Sequence, residues 1–320
     1  GEDALPKPLL AEKIDISADG KSYSFTLRQG VKFHNGAPLT AADVMWSWNR
    51  YMDPKTDWRC LSEFDGRGQV KVEKISAPND KTVVFDLDKP SALFLSALAR
   101  TDCAMTGILH KDSVKADGSF DKPIGTGPFK FAEWKRGEYI KLDRFADYAS
   151  LPGKVDGLTG AKKPLVDEVR FLVIPDNATA KAALLKGDID IVPDIANTDI
   201  AELKKNDKVK TSVVTSMGLV GLIIQTRDPL LQNVKLRQAM AAAIDSKELV
   251  GAVTDGIGSP NNSIVPALSA YYGPVQKQGW KHDPATAKKL LAEAGYKGEK
   301  IVMLANKRYP ESFDAAVVAQ

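Results

Sequence analysis

Hydrophobic residues alternate with polar ones over much of the N-terminal region. Near its start they occupy every second position on both sides of Gly30: Tyr23, Phe25, Leu27, Val31 and Phe33. A period of two that flanks a glycine turn predicts two paired strands with one buried face. Residues 70–90 repeat this pattern on either side of Asn79 and Asp80, which predicts two further strands joined by a turn.

Helical spacing and end signals replace this alternation in several stretches. In residues 37–54, Thr40 stands at the N-cap position and Asp43 at the position of a capping-box acid. Asp53 and the proline that follows it stop the helix. Further helices are predicted at residues 90–100, 177–187, 198–207, 233–256, 283–296 and 315–320.

Apolar stretches between these helices predict strands. The helices and strands up to about residue 110 suggest a small α+β unit, and the later alternation of the two suggests an α/β domain whose sheet is covered by helices. The predicted strands beyond the first unit's opening pairs are residues 103–110, 129–144 as a pair, 166–176, 189–192, 208–226 and 301–306.

Composition excludes some classes of partner. The chain has 320 residues, 43% of them hydrophobic, which allows a large core and favours two or more domains. Its 44 Lys and Arg against 41 Asp and Glu are interspersed, so no nucleic-acid surface is predicted. The chain shows neither an apolar run of membrane-spanning length nor the regions of a signal peptide, so we expect any export signal to have been removed or not included.

Few residues suggest catalysis or metal binding. His34 has no acid or nucleophile beside it, so we expect a solvated residue at a strand end, and the three histidines are too far apart to predict a metal site. The GTGP stretch at residues 125–128 lacks the spacing of a phosphate loop and predicts a structural turn. Asp188 and Asp190 fit a turn and a strand better than a catalytic pair, and no serine-hydrolase motif is present.

Five segments resemble, in order and approximate spacing, the family 5 solute-binding proteins. These proteins are the peptide-, opine- and nickel-binding receptors of bacterial ABC importers. Together the segments cover nearly the whole chain, which makes the resemblance specific. They are residues 19–50, 124–144, 182–192, 233–250 and 283–296.

The resemblance implies an α/β fold of the periplasmic-binding-protein type. Such proteins are two-lobed clamshells (type II) with an extra small α+β domain in the first lobe. The resemblance places this extra domain at residues 1–120, the rest of the first lobe at 121–215 and a partial second lobe at 216–320. Family members usually begin further upstream and continue further downstream, so we expect the chain to be incomplete at both ends.

The resemblance also implies a function. It predicts a monomeric periplasmic protein, without cofactor or enzymatic activity, that closes on a small polar ligand such as a peptide or opine and delivers it to the permease of an ABC transporter. The alternative is an extracytoplasmic hydrolase that acts on a similar small substrate. The sequence leaves the identity of the ligand open.

Candidate ligand contacts follow from the positions that match cleft-facing loops and the hinge of the family. Each has a plainer alternative: Trp58 can cap the local core, the glycines can be tight-packing positions in a strand, and Arg308 can be a solvated surface residue. The candidates are Trp58, Arg59, Ser216, Met217, Gly218, Gly221, Asn306, Arg308 and Tyr309.

The two cysteines, Cys60 and Cys103, are candidates for a disulfide because the implied compartment is oxidising and no other thiol is present. The alternative is a pair of buried free thiols.

Overall fold

The structure, a computed structural model, describes residues 1–214 and 218–320. These residues form two compact units, Gly1–Val173 and Ile174–Gln320. The three-part division at residues 120 and 215 that the resemblance implies stays a prediction.

The first unit contains a four-stranded antiparallel sheet. Its strands are β1 (Ala11–Ile16), β2 (Ser22–Leu27), β3 (Val72–Asn79) and β4 (Thr82–Leu87), and they lie in the order β1-β2-β4-β3. The period-two pattern has the predicted effect, since Val83, Phe85 and Leu87 of β4 are buried. The two strands predicted around Asn79 are therefore confirmed.

Helix α1 (Ala41–Met52) packs on β3 and β4, and the ring of Trp48 meets that of Phe85 edge to face at 5.0 Å. The predicted helix start is confirmed. The carboxylate of Asp43 accepts hydrogen bonds from the backbone N–H of Thr40 at 2.9 Å and from its hydroxyl at 2.7 Å. This contact gives the backbone N–H of Thr40 an acceptor and fixes the chain where the helix begins.

The strand predicted around Val31 and Phe33 does not form; in this stretch a single bridge joins Lys32 to Pro38. Both edges of β2 are already paired, with β1 and with β4, so a strand that follows the turn at Gly30 has no free edge beside it. Val31 and Phe33 are nevertheless buried, at 4% and 0% exposure. The alternation thus predicted correctly that Val31 and Phe33 are buried, but the strand pairing predicted for this stretch is wrong.

A second antiparallel sheet follows in the same unit. Its strands are β5 (Phe129–Lys135), β6 (Tyr139–Arg144) and β9 (Glu168–Leu172), in the order β5-β6-β9, and a small hairpin of β7 (Val155–Asp156) and β8 (Thr159–Gly160) lies between β6 and β9 in sequence. These strands confirm the predictions for residues 129–144 and 166–176.

The strand predicted at residues 103–110 is wrong. Helix α2 (Phe94–Leu98) is followed by a 3₁₀ helix at Thr101–Thr106, and the described backbone continues to residue 110 without a strand. Cys103 is 1% exposed within the 3₁₀ helix. Cys103 is therefore buried without a strand, and periodicity alone does not distinguish such a residue from one in a short buried strand.

The second unit is helical in the residues that the structure describes. Asp283 caps α8 through the N–H of Thr286 at 2.9 Å, and Gly295 ends it in the left-handed conformation, as predicted. The helix predicted at residues 233–256 is divided at Asp245. The helices are α3 (Asn177–Lys186), α4 (Asn197–Leu203), α5 (Val234–Ala243), α6 (Ser246–Thr254), α7 (Pro274–Lys277), α8 (Pro284–Ala294) and α9 (Pro310–Ala319).

No strand forms at residues 174–214 or 218–320, so the strands predicted at 189–192, 301–306 and the described part of 208–226 are wrong. An apolar run becomes a strand only where a neighbour pairs its backbone groups. Here the side chains stay exposed, as for Val214 (81%) and Ile223 (95%).

Candidate ligand-binding site

The first candidates lie in the loop that leaves α1. Asp53 ends the helix, and its carboxylate accepts the N–H of Lys55 at 2.9 Å, which starts a 3₁₀ turn at Pro54–Thr56. Asp57 then adopts the left-handed conformation with φ of 52°. These turns bring the chain back along α1 and set the position of Trp58.

Trp58 packs against three aromatic rings. Its ring stacks on Phe64, with centroids 5.5 Å apart and planes 10° apart, and lies 4.8 Å from Tyr51 and 6.3 Å from Trp48. The indole Nε1 is buried and has no hydrogen-bond partner among the described residues. A buried N–H without an acceptor is costly, but Nε1 is sealed from solvent and does not itself mark a ligand contact. These ring contacts agree with the core-capping alternative, and ligand contact stays a prediction.

Arg59, the next residue, has a side chain that is 70% exposed, and its guanidinium lies 3.7 Å from the carboxylate of Asp102. Arg100 binds the same carboxylate more closely, through two hydrogen bonds of 2.7 and 3.0 Å, and also reaches Glu63 at 2.8 Å. The hydrogen bonds from Arg100, and then the charges of Arg100 and Arg59, hold the pKa of Asp102 below its usual value. Because Arg100 already pairs with Asp102, Arg59 retains capacity to bind an anion.

Cys60 and Cys103 form a disulfide, with Cα atoms 5.7 Å apart. The predicted bond is confirmed, and the alternative of two free thiols is wrong. Asp102 lies close enough to both sulfurs to suggest a metal site. That interpretation fails because disulfide sulfurs are not thiolates, the form of cysteine that ligates metals.

A second group of candidates forms one turn before α9. The side chain of Asn306 accepts the N–H of Arg308 at 2.9 Å, and its carbonyl accepts the N–H of Tyr309 at 3.1 Å. Tyr309 is the N-cap residue of α9 and is 58% exposed. The side chain of Arg308 is exposed, and its guanidinium has no hydrogen-bond or ion-pair partner within residues 1–214 and 218–320.

The predicted hinge residues are placed only in part. Ser216 and Met217 lie outside the described residues. Gly218 and Gly221 are described, in a segment without helix or strand, and a Cβ built at Gly221 would meet open space. The tight-packing alternative is therefore wrong for Gly221.

Comparison with known proteins decides the family. The family described as bacterial extracellular solute-binding proteins, family 5 Middle, matches residues 6–320. The chain belongs to this family. The resemblance noted from the five sequence segments is thereby confirmed.

Two curated relatives of this family 5 chain are named for the binding of dipeptides and of glutathione. The dipeptide-binding protein of Escherichia coli (strain K12) is 31% identical over 305 residues, which make up 90% of this chain and 55% of that protein. The glutathione-binding protein GsiB of Salmonella typhi is 30% identical over 295 residues, or 92% of this chain and 54% of that protein. The family 5 chain thus spans about half the length of the curated relatives it matches.

Solved structures show the same fold. The PBP AgaA from A. tumefaciens R10, in complex with agropinic acid, has a TM-score of 0.79 at 32% identity, with 100% of this chain and 62% of that chain covered. A putative peptide-binding protein AppA from Clostridium difficile has a TM-score of 0.82 at 27% identity, with 98% and 63% covered. The predicted α/β fold of the periplasmic-binding-protein type is confirmed. In the described part of this family 5 chain, no helix has the length and apolar character needed to cross a membrane.

His34, in the first family 5 segment, is not the solvated residue that the sequence predicts. It is half-buried, its ring lies edge to face with Phe145 at 5.1 Å, and its two ring nitrogens meet Gly125 and Gly127. The prediction fails because the turn at residues 125–128 folds over the ring. The same contacts confirm that this GTGP stretch is a structural turn.

The structure brings together some candidates of this family 5 chain and adds others. Trp58 and Arg59 are adjacent in sequence, but Trp58 contacts aromatic rings and Arg59 lies near a carboxylate. Asn306, Arg308 and Tyr309 lie in one turn. Sequence reasoning missed Arg100, which joins the two carboxylates beside Arg59. The sequence signal that could have identified Arg100 is its position two residues before Asp102, the acid next to Cys103.

Proposed function

We propose that this protein is a periplasmic receptor that binds a small polar ligand, of peptide or opine type, and delivers it to the permease of an ABC importer. The observation that carries the proposal is the family match over residues 6–320, together with a shared fold at TM-scores of 0.79 and 0.82. Relatives are named for dipeptide or glutathione binding, and AgaA is complexed with agropinic acid. All three ligands are small polar acids.

The residues proposed to contact this ligand are those the sequence suggested. In the first unit, Trp58 offers a partly exposed aromatic ring, and Arg59 offers an exposed guanidinium next to a carboxylate that Arg100 already pairs. Arg308 is the proposed anion contact of the second unit, because a guanidinium can donate two parallel hydrogen bonds to a carboxylate. The other proposed contacts are Ser216, Met217, Gly218, Gly221, Asn306 and Tyr309.

A receptor and a hydrolase differ in what becomes of the ligand. Isothermal titration with dipeptides, glutathione and an opine, followed by chromatography of the incubated mixtures, separates the two. We expect saturable binding of at least one compound and its full recovery unchanged. No binding of any compound would overturn the proposal, and release of hydrolysis products would favour the hydrolase.

Tryptophan fluorescence tests the placement of the ligand. In a variant that keeps Trp58 and carries Phe at the other four tryptophan positions, we expect ligand to change the emission. A matched variant that keeps only Trp134, which is 55% exposed on β5, serves as the control and should not respond. Binding confirmed by titration without any change at Trp58 would remove this residue from the site and leave the function standing.

The proposal includes a monomer that works without a cofactor and without nucleic acid. Light scattering coupled to size-exclusion chromatography should give the mass of a single chain at concentrations up to those used for titration. A stable dimer would contradict this part of the proposal.

A further inference from the structure

Both ring nitrogens of His34 are engaged, and their partners fix the state of the ring. The backbone N–H of Gly125 points at Nδ1 at 3.3 Å, so Nδ1 accepts and carries no proton. Nε2 lies 3.1 Å from the carbonyl oxygen of Gly127, which only accepts, so Nε2 carries the proton. His34 is thereby held as the neutral Nε2–H tautomer.

Backbone hydrogen bonds also join the segment that contains His34 to the turn at residues 125–128. The N–H of His34 donates to the carbonyl of Gly125 at 2.9 Å, and the N–H of His110 donates to the carbonyl of Ile124 at 2.9 Å. Asn35 joins the two histidines, since its side-chain nitrogen lies 3.1 Å from Nδ1 of His110. These hydrogen bonds therefore hold the turn that leads into β5 against the segment before α1. Both ring nitrogens of His34 bond the backbone of that turn, and His34 is titratable.

The surroundings of the ring offer little to stabilise a positive charge. Phe145, which follows β6, packs against the ring, and the positive charge of Lys130 on β5 disfavours a charged His34. Lys32 and Asp147 are paired with each other at 2.8 Å. His110, the other titratable group of this junction, has Asp112 3.4 Å from its Nδ1.

We propose that His34 is a pH-sensitive latch between the turn at residues 125–128 and the segment at residues 33–36. A proton taken from solvent by Nδ1 replaces the accepting lone pair with a second N–H. That N–H faces the N–H of Gly125, so the hydrogen bond is lost and two donors oppose each other. The bond from Nε2 to Gly127 remains, and the turn loosens at Gly125.

The direction of the effect follows from the pKa. Burial, and then the charge of Lys130, lowers the pKa of His34 below its usual value of 6.5, although the bond to Gly127 opposes this shift. A histidine with a lowered pKa in the folded state contributes its full stability above 6.5 and loses it as the pH falls through the folded value. The latch is therefore closed at neutral pH and opens in acid.

NMR of the protein tests the latch directly. Long-range ¹H–¹⁵N spectra of the imidazole should show the Nε2–H tautomer at pH 7.5 and a titration midpoint below 6.5. After correction for intrinsic exchange, the protection of the Gly125 amide should fall about two- to tenfold once His34 is protonated, as expected for the loss of one hydrogen bond. A midpoint at or above 6.5, or unchanged protection of Gly125, would overturn the proposal.

Two variants assign the effect to this side chain. In His34→Gln the side chain is neutral at every pH, so the protection of Gly125 should be independent of pH. His282→Gln, which removes an exposed histidine of the second unit, should retain the wild-type dependence. Equal pH dependence in His34→Gln and wild type would refute the latch. If His34→Gln does not fold, the wild-type titration and the exchange of Gly125 decide alone.

Discussion

The disulfide between Cys60 and Cys103 supports a quantitative prediction for the first unit. The bond joins residues separated by 43 positions. In the chain-entropy model, closing a loop of this length removes about 13 cal/mol/K from the unfolded chain, or about 4 kcal/mol at 25 °C. Both cysteines are almost fully buried, at 2% and 1% exposure. Alanine is therefore a better replacement than serine, whose hydroxyl would be buried without a partner.

We expect the double variant Cys60→Ala, Cys103→Ala to lose about 4 kcal/mol of unfolding free energy. Urea unfolding followed by tryptophan fluorescence is a suitable assay, because four of the five tryptophans lie in the first unit. Wild-type protein unfolded with a thiol reductant is the control, since it keeps the sulfur atoms and loses only the cross-link. A loss below about 1 kcal/mol in both samples would refute the estimate and show that the bond constrains the unfolded chain little.

Other expectations concern single side chains. Asp43→Ala should lower the unfolding free energy by about 1 kcal/mol, measured by urea midpoint, because the N–H and hydroxyl of Thr40 at the start of α1 lose their acceptor. No change would show that water accepts these hydrogen bonds equally well. In Arg100→Gln, the pKa of Asp102 should rise, as followed by carboxyl ¹³C shifts, and the stability that the wild type loses as pH falls below about 4 should be correspondingly smaller. Arg308→Ala should weaken binding of an anionic ligand by about 2 kcal/mol or more in titration, with Lys307→Ala as the matched control. If the affinity of Arg308→Ala for the anionic ligand stays within about threefold of the wild-type value, Arg308 is a solvated surface residue and not a ligand contact.

Helix ends were predictable from the sequence because their signals are local. Thr40 and Asp43 are close enough along the chain to bond whatever else the protein does, and the structure shows that contact. The same holds for Asp283 and Gly295, which begin and end α8. Such signals depend on a few neighbouring residues and hardly on the rest of the fold.

The pairing of strands and the geometry of the site depend on distant partners, and several predictions of that kind were wrong. Val31 and Phe33 are buried as the alternation predicts, yet β2 had no edge left for them. The apolar stretch that contains Ile223 lacks a neighbouring strand altogether in the described residues. Similarly, a tryptophan in a loop reveals its chemistry but not its direction, and the stack of Trp58 on Phe64 was visible only in three dimensions.

The order of strands in the first sheet has a consequence for how the protein folds. The pairs β1–β2 and β3–β4 are hairpins of neighbouring segments, which form within microseconds. The central pairing of β2 with β4 instead joins Ser22 to Asp86, 64 residues apart. The chain loses conformational entropy when so long a loop closes, before the contacts between β2 and β4 have formed to offset that loss. Substitutions at this seam should therefore slow folding, whereas those within either hairpin's outer strand should mainly speed unfolding.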